Sequence, residues 1–218
     1  MDGEGRQLLI LGLGGQATVV SAIARALGYS IMGFLDAFHE PQPGIEVAGR
    51  RVLGGISSLA RMTAPLVAVA VGDNRLRCDV VCKVLAANPG ASPVSLVHPR
   101  SFREDDVTLG AHVTVCIGSI IGARATLADG VIVNSGAVVD HECVLERYCH
   151  VGPGARLAGR VRVGEFAQVG IGATVIEKIT IGKSAVIGAG AVVIDNIPDG
   201  ATAAGVPARV IKTRSPGA

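Results

Sequence analysis

Two kinds of hydrophobic spacing divide the chain. In the second half an aliphatic residue recurs every six positions from Leu109 to Val193, and a mostly small residue stands two positions before each of them. Unrelated sequences do not keep one register over so many repeats. Each hexad is expected to form a short strand with two inward side chains and then a corner, so that three hexads close a triangular coil. Fifteen hexads therefore predict a prism of about five coils, stacked at the spacing of β-strands.

Glycine follows the aliphatic residue at seven of these corners. We expect it there because a corner needs a positive φ angle, which glycine adopts without steric cost. The glycines concerned are Gly110, Gly122, Gly152, Gly164, Gly170, Gly182 and Gly188.

The first half alternates between strand and helix patterns. The segments 8–11, 31–35 and 66–71 are predicted strands, and apolar positions at helical spacing follow Ala17 and Leu76. This alternation is typical of a parallel α/β sheet. The Pro-, Gly- and Ser-rich stretch at 88–93 suits a domain boundary. The predicted organisation is a Rossmann-like domain over 1–93, a connection over 94–106, a β-helix over 107–196, and a C-terminal turn and tail over 197–218.

A glycine-rich turn follows the first predicted strand. G-L-G-G-Q-A, residues 12–17, matches the dinucleotide fingerprint, and an aspartate at the end of the second strand stands where a ribose partner is expected. A domain of about eighty residues is only half of a doubly wound fold, which suffices for one mononucleotide. We therefore expect a nucleotide-linked ligand at the strand ends. Its expected contacts are Gly14, Gly15, Gln16, Asp36, Gly72, Asp73 and Asn74.

Composition narrows the possible partners. The chain is 49% hydrophobic and 17% charged, which excludes disorder, and its net charge of +2 is no electrostatic footprint for nucleic acid. The longest clean apolar run, 64–71, is too short to span a bilayer, so we expect no membrane partner and a cytoplasmic location. Five cysteines without CxxC spacing indicate neither a disulfide framework nor a zinc ribbon.

The hexad register gives one histidine a distinctive position. His141 lies two positions past inward Val139, so it points outward at a corner, and Glu142 follows it directly. An outward imidazole beside a carboxylate has the parts of a general base, namely a proton acceptor and a group that orients it. Asp140 is a rival for the orienting role.

His150 is the second outward histidine, because it lies between two inward positions of the register. It is half a coil away from His141, so one chain does not easily bring the two together. A threefold assembly can set His141 of one subunit against His150 of its neighbour. Zinc bound between subunits by His112, His141 and His150, as in β-helical carbonic anhydrases, is a weaker alternative, because His112 lies more than one coil away. We expect no metal.

The whole chain resembles the nucleotide-sugar N-acetyltransferases of bacterial surface-glycan synthesis, which are relatives of sialic-acid O-acetyltransferases. The matching segments are 12–16, 34–36, 72–74, 134–135, 140–143 and 150–152, together with a C-terminal turn at 205–208. The resemblance implies a left-handed β-helix, although parallel crossovers are normally right-handed. Bacillosamine-type enzymes for UDP-sugars and perosamine-type enzymes for GDP-sugars share this plan, and we favour the perosamine type. Gln16 departs from the pattern, since many relatives have histidine there.

The resemblance also implies roles for residues. It implies a homotrimer with acetyl-CoA in the groove between neighbouring β-helices. His141 would be the general base and Glu142 its modulator. Asn134 would contact the sugar or amine, and His150 would donate a hydrogen bond to the thioester carbonyl. Expected coenzyme contacts, besides His150, are Gly159, Ile171, Gly172, Ala189 and Gly190. The sugar amine would attack the thioester directly, without a cysteine nucleophile. Two alternatives stay open: an O-acetyltransferase of a sialic-acid-like sugar, and a non-enzymatic nucleotide-binding β-helical subunit.

Overall fold

A computed structural model describes residues 5–41 and 44–213. The chain divides into two compact units, with the boundary between His98 and Pro99. The elements of the first unit are β1 (Gln7–Leu11), α1 (Gly15–Ala26), β2 (Ser30–Asp36), β3 (Glu46–Val47), β4 (Arg50–Gly55), a 3₁₀-helix (Ile56–Arg61), β5 (Leu66–Val69), α2 (Asn74–Ala87), β6 (Ser92–Pro93) and β7 (Leu96–Val97).

The first unit contains a six-stranded sheet in the order β3-β4-β2-β1-β5-β6. All its pairs are parallel except the β3–β4 hairpin, and the strand order reverses between β1 and β5. Every residue of β1 from Leu8 to Leu11 is fully buried, because strands flank it on both sides and it lies inside the core. The three predicted strands and two predicted helices are confirmed. The hairpin and the 3₁₀-helix were not predicted, because β4 begins with two exposed arginines that mask its pattern.

The second unit is built from short strands. They are β8 (Phe102–Arg103), β9 (Thr108–Leu109), β10 (Thr114–Val115), β11 (Ile120–Ile121), β12 (Thr126–Leu127), β13 (Ile132–Val133), β14 (Val138–Val139), β15 (Val144–Leu145), β16 (His150–Val151), β17 (Arg156–Leu157), β18 (Arg162–Val163), β19 (Gln168–Val169), β20 (Thr174–Val175), β21 (Thr180–Ile181), β22 (Val186–Ile187), β23 (Val192–Val193), β24 (Ala201–Ala204) and β25 (Arg209–Thr213). From β8 to β23, strands three apart in this order pair in parallel, which makes three sheets of a left-handed β-helix. Among the described residues of this unit, which end at 213, β25 alone is antiparallel to its neighbour, β24.

The hexad register is confirmed by burial. From Val115 to Val193 each aliphatic residue of the repeat is at most 1% exposed, and the small residues two positions earlier fill the remaining core. Leu109, in the first hexad, is half-buried. The prism is therefore closed by one aliphatic and one small residue per strand, at the positions where the sequence placed them.

The corner glycines do not supply the positive φ angle that the sequence led us to expect, so that prediction is wrong. Gly122 and its six equivalents do not adopt a positive φ angle; a Cβ on Gly122 would lie 2.7 Å from the backbone nitrogen of His141 in the next coil. Glycine is needed there because the next coil approaches closely. The left-handed residue comes two positions later, as at Arg124 with φ +58°.

The prism extends beyond 107–196 at both ends. Phe102–Arg103 already pairs with Ile120–Ile121, inside the stretch expected to be a connection. The pattern hides this strand because Arg103 stands where the hexad expects an aliphatic residue. At the other end β24 pairs with β22, and a turn with a cis Val206–Pro207 bond leads into β25.

Candidate active site

The left-handed corner residues form three columns along the prism, because a coil repeats every eighteen residues. All of them have φ between +55° and +69°. One column is bare glycine: Gly118, Gly136, Gly154, Gly172 and Gly190. The second is charged: Arg124, Glu142, Arg160 and Lys178. The third is mixed and largely aromatic: His112, Gly130, Tyr148, Phe166 and Ser184. Each corner of the prism therefore has its own chemistry.

His141 lies on the charged corner and is 45% exposed. Its Nδ1 is 3.0 Å from Oε2 of Glu142, whereas Oδ1 of Asp140 accepts the backbone N–H of His141 at 2.7 Å. Of the two candidate carboxylates, Glu142 is thus the one that orients the ring. Asp140 stabilises the corner backbone instead.

Cations surround the Glu142 carboxylate. Oε1 of Glu142 is 3.3 Å from Nη2 of Arg124. The hydrogen bond to His141, followed by the charges of Arg124 and Arg160, holds the pKa of Glu142 below its usual range. An ionised carboxylate only accepts hydrogen bonds, so Nδ1 of a neutral His141 ring carries the proton. Its Nε2 then has a free lone pair, as a general base requires.

Gly159 lies against the same ring. A Cβ at Gly159 would collide with Nε2 of His141 and would lie 2.5 Å from Cε1. The φ angle of Gly159 is not positive, so the backbone itself does not demand glycine. Glycine at this position makes room for the imidazole, a contact that the eighteen-residue spacing from His141 indicates.

Asn134 and His150 form a second polar pair. Oδ1 of Asn134 accepts the backbone N–H of Ser135 at 2.8 Å, so its Nδ2 faces Nε2 of His150 at 3.2 Å and donates to it. With Nε2 accepting, a neutral His150 ring carries its proton on Nδ1. His150 is the first residue of β16 and is half-buried, on the outer surface of the prism.

The bare glycine corner carries four of the expected coenzyme contacts. Ile171 and Ala189 precede Gly172 and Gly190 in successive coils, and Ile171 is 58% exposed. A Cβ on Gly136, Gly154, Gly172 or Gly190 would meet nothing within 4 Å. The glycine column of this corner is therefore open and has no side chains, and Ile171 projects beside it. The regular glycines at 118, 136 and 154 were not singled out in the sequence, although their spacing signals them.

In the first unit the glycine-rich turn lines a hollow of about 390 Å³ beside Gly72. Gly12, with φ +117°, lies so close to the residue after β5 that a Cβ would be 2.6 Å from the Ala70 carbonyl oxygen. Helix α1 begins at Gly15 with no side-chain cap and no acidic residue in its first turn. Its free N–H groups favour an anion.

Gln16 projects from this turn. Its Nε2 is buried and has no hydrogen-bond partner among the residues that the structure describes. A buried donor without a partner is costly, so an acceptor from a ligand would stabilise it.

Asp36 has a local partner. Its Oδ1 accepts the backbone N–H groups of Phe38 at 2.8 Å and His39 at 3.1 Å, which shapes the loop after β2. The same residue lines a second hollow of about 540 Å³, together with Glu40 and Lys83, which sequence reasoning missed. Phe38 lines both hollows.

The turn after β5 is stabilised from within. Asp73 caps α2 through its Oδ1, which accepts the N–H of Leu76 at 2.9 Å, and buried Asn74 accepts from Nη2 of Arg77 at 2.9 Å. The guanidinium of Arg77, 2% exposed, also donates to the Gly72 and Asp73 carbonyls. Asp73 and Asn74 therefore shape this turn with their side chains. Nothing in the sequence pattern pointed to a buried arginine.

Cysteine chemistry finds no support. Cys143 and Cys149 are fully buried, and burial raises the pKa of the Cys143 thiol to about 11.

Within residues 5–41 and 44–213 no three histidine, cysteine or acidic side chains cluster as metal ligands. His112 stands on the aromatic corner rather than beside His141. No helix in the described part of the chain has the length and apolarity to cross a membrane.

A β-helix with an oriented His–Glu pair and a nucleotide-binding type of half-domain defines an acyltransferase of the hexapeptide-repeat class. The family model for the PglD N-terminal domain matches residues 7–84. PerB from Caulobacter crescentus, solved with CoA and GDP-perosamine, is 39% identical with a TM-score of 0.87, covering 94% of this chain and 97% of that one. The acetyltransferase domain of PglB from Neisseria gonorrhoeae FA1090, solved with acetyl coenzyme A, is 36% identical with a TM-score of 0.87, covering 95% and 100%.

WeeI from Acinetobacter baumannii AYE shares the fold, with 24% identity, a TM-score of 0.85, and coverage of 94% and 100%. The chain belongs to the nucleotide-sugar N-acetyltransferases with a hexapeptide-repeat fold. Its reaction is the acetyl-CoA-dependent N-acetylation of a nucleotide-linked amino sugar.

Proposed function

We propose that this enzyme acetylates the amine of a GDP-linked amino sugar such as GDP-perosamine, as a step of surface-glycan synthesis. The observation that carries the proposal is the His141–Glu142 pair, with Nε2 of His141 left as a proton acceptor on an exposed corner. The similarity to PerB, which was solved with CoA and GDP-perosamine, supports the choice of sugar nucleotide.

In the proposed reaction the amine nitrogen attacks the carbonyl carbon of the acetyl thioester. Nε2 of His141 takes a proton from the attacking nitrogen, and its Nδ1–H remains bonded to Glu142, which stabilises the resulting imidazolium. The carbon–sulfur bond then breaks, and CoA leaves as the thiolate. The products are an amide and CoA, with no covalent enzyme intermediate.

His150 is proposed to stabilise the developing oxyanion of the thioester. Asn134 fixes the tautomer of His150 by donating to Nε2, so the donor on this ring is Nδ1–H. Nδ1 is buried, so it must become accessible for the thioester oxygen to bind it. Asn134 is also the proposed contact of the sugar or its amine. Asn134 and His150 are expected to act together, because without Asn134 either ring nitrogen of His150 can carry the proton.

The bare glycine corner is the proposed coenzyme edge. A chain such as pantetheine can approach a backbone without side chains closely, and Ile171, Gly172, Ala189 and Gly190 are the contacts that we propose there. Gly159, below His141, would lie nearest to the thioester end. We propose a homotrimer that sets this edge against the His141 corner of a neighbouring subunit.

The first unit is proposed to bind the nucleotide. Backbone N–H groups of Gly14 and Gly15 at the start of α1 suit the diphosphate, and buried Nε2 of Gln16 suits an oxygen of the phosphate or sugar. Asp36 is the proposed ribose partner through Oδ2, because the loop N–H groups donate to Oδ1. Gly72 provides close approach, with Asp73 and Asn74 shaping the turn. We propose that the enzyme acts in the cytoplasm.

The test incubates the protein with acetyl-CoA and a panel of GDP- and UDP-linked amino sugars, with matched sugars that carry hydroxyl groups instead of amines. Free thiol and product mass are measured. We expect thiol release and a mass increase of one acetyl group with the GDP-linked amino sugar. Preference for UDP-linked sugars would overturn the nucleotide assignment, and acetylation of the hydroxyl sugars alone would indicate O-transfer. No thiol release with any acceptor would favour a structural subunit.

A further inference from the structure

The charged corner holds more than the His–Glu pair. Arg124, Glu142 and Arg160 occupy the same left-handed position in three successive coils, so their side chains leave the prism one above another. Nη2 of Arg124 is 3.3 Å from Oε1 of Glu142, and Oε2 of the same carboxylate is 3.0 Å from Nδ1 of His141. One carboxylate thus bridges a fixed cation and the imidazole.

This arrangement has a consequence for the ring. Glu142 is 37% exposed, and an exposed carboxylate with a single partner samples several rotamers. The guanidinium occupies Oε1, which leaves Oε2 directed at Nδ1 of His141. The corner backbone beneath Arg124 is itself held, because its N–H donates to Oδ1 of Asp106 at 2.9 Å.

We propose that Arg124 is a positioning residue of the reaction: it orients the Glu142 carboxylate, and through it the Nδ1–H tautomer and ring plane of His141. The inference rests on the proposed role of His141 as base. Arg124 does not contact the reacting atoms in this scheme. Its effect is therefore expected on turnover rather than on substrate binding.

Other charged groups share this corner. Arg160 and Lys178 lie in the same column, Asp106 stands eighteen residues before Arg124, and Asp140 lies beside His141. Arg160 also lowers the pKa of Glu142, but the described contacts include no hydrogen bond between the two side chains. We therefore assign orientation to Arg124, with Arg160 adding only positive charge.

The test compares Arg124→Gln and Arg124→Lys with Arg162→Gln. Arg162 is a matched control, because it makes the same type of exposed pair with Glu146, at 3.3 Å, on the outer surface of the prism. An exposed ion pair stabilises only weakly, so we expect Arg124→Gln to lower kcat about two- to fivefold with KM for both substrates unchanged. Arg124→Lys should recover part of the loss, and Arg162→Gln should retain parental kcat.

A double-mutant cycle with Glu142→Gln identifies the route of the effect. If Arg124 acts through Glu142, Arg124→Gln costs nothing further in the Glu142→Gln background. Additive losses, or a raised KM for acetyl-CoA or the sugar nucleotide, would overturn the proposal and make Arg124 a ligand contact. The wild-type assay separates this outcome from failure of the proposed function.

The tautomer of His141 gives a readout that needs no turnover. Long-range ¹H–¹⁵N spectra of the imidazole should show Nδ1 protonated in the parent at neutral pH. Arg124→Gln should increase the Nε2–H population, whereas Arg162→Gln should not. An unchanged tautomer in Arg124→Gln would refute the positioning role even if the true acceptor of the enzyme is a different sugar.

Discussion

Replacing Gly159 by alanine adds a single methyl group beneath the imidazole of His141. The new Cβ would collide with Nε2 and would lie 2.5 Å from Cε1 and 3.0 Å from Cδ2 of the ring. Ordinary carbon contacts are about 3.5–4.0 Å, so the ring must retreat by about 1 Å. Such a shift moves the proposed base away from the amine and strains its hydrogen bond to Glu142.

A displacement of about 1 Å in a catalytic group can cost about 10²-fold in rate, and we expect that loss in kcat for Gly159→Ala. The melting temperature should change little, because the φ angle of Gly159 suits alanine. Thiol release from acetyl-CoA at saturating sugar nucleotide measures kcat, and thermal denaturation followed by circular dichroism measures stability.

A double mutant and the KM for acetyl-CoA test whether Gly159→Ala acts through the His141 ring. In a His141→Asn background the alanine should cost nothing more, because the large ring that it displaces is gone. A raised KM for acetyl-CoA with unchanged kcat would show that the alanine acts through the proposed coenzyme contact of Gly159 and not through the His141 ring. Parental kinetics in Gly159→Ala would refute the steric reasoning altogether.

Three further predictions test other parts of the structure. His141→Asn should lower kcat by about 10² to 10⁴ with acetyl-CoA binding retained in calorimetry, because the proposed proton acceptor is removed. Unchanged kinetics would contradict the base assignment. Arg77→Met should lower the free energy of unfolding by about 3 kcal/mol in denaturant titrations, because the hydrogen bonds of Arg77 to Gly72, Asp73 and Asn74 are lost. Sugar-nucleotide binding should weaken as well. A stability equal to the parent's would show that the turn holds without these bonds. Iodoacetamide at pH 8 should leave activity intact, because burial raises the pKa of the Cys143 thiol to about 11 and only about one thousandth of it is then ionised. Inactivation that maps to Cys143 by mass spectrometry would contradict this prediction.

The β-helix could be predicted because each inward position meets the same environment in every coil. One aliphatic and one small residue per hexad suffice to close the prism, so a single periodic pattern determines the core and places His141 and His150 outside it. The glycine-rich turn and the strand–helix alternation likewise reflect local rules of backbone conformation. These features depend on residues close together in the chain, so the sequence pattern is enough to predict them.

Only the tertiary structure decided which polar side chains of the site contact one another. Asp140 and Glu142 are equivalent neighbours of His141 in the sequence, and only the corner geometry turns one carboxylate to the backbone and the other to the ring. Arg124 and Gly159 reach this site because a coil returns the chain every eighteen residues. Hydrophobic periodicity specifies which side chains are buried, but the distances between polar atoms on the surface depend on how coils stack, and those distances decide the chemistry.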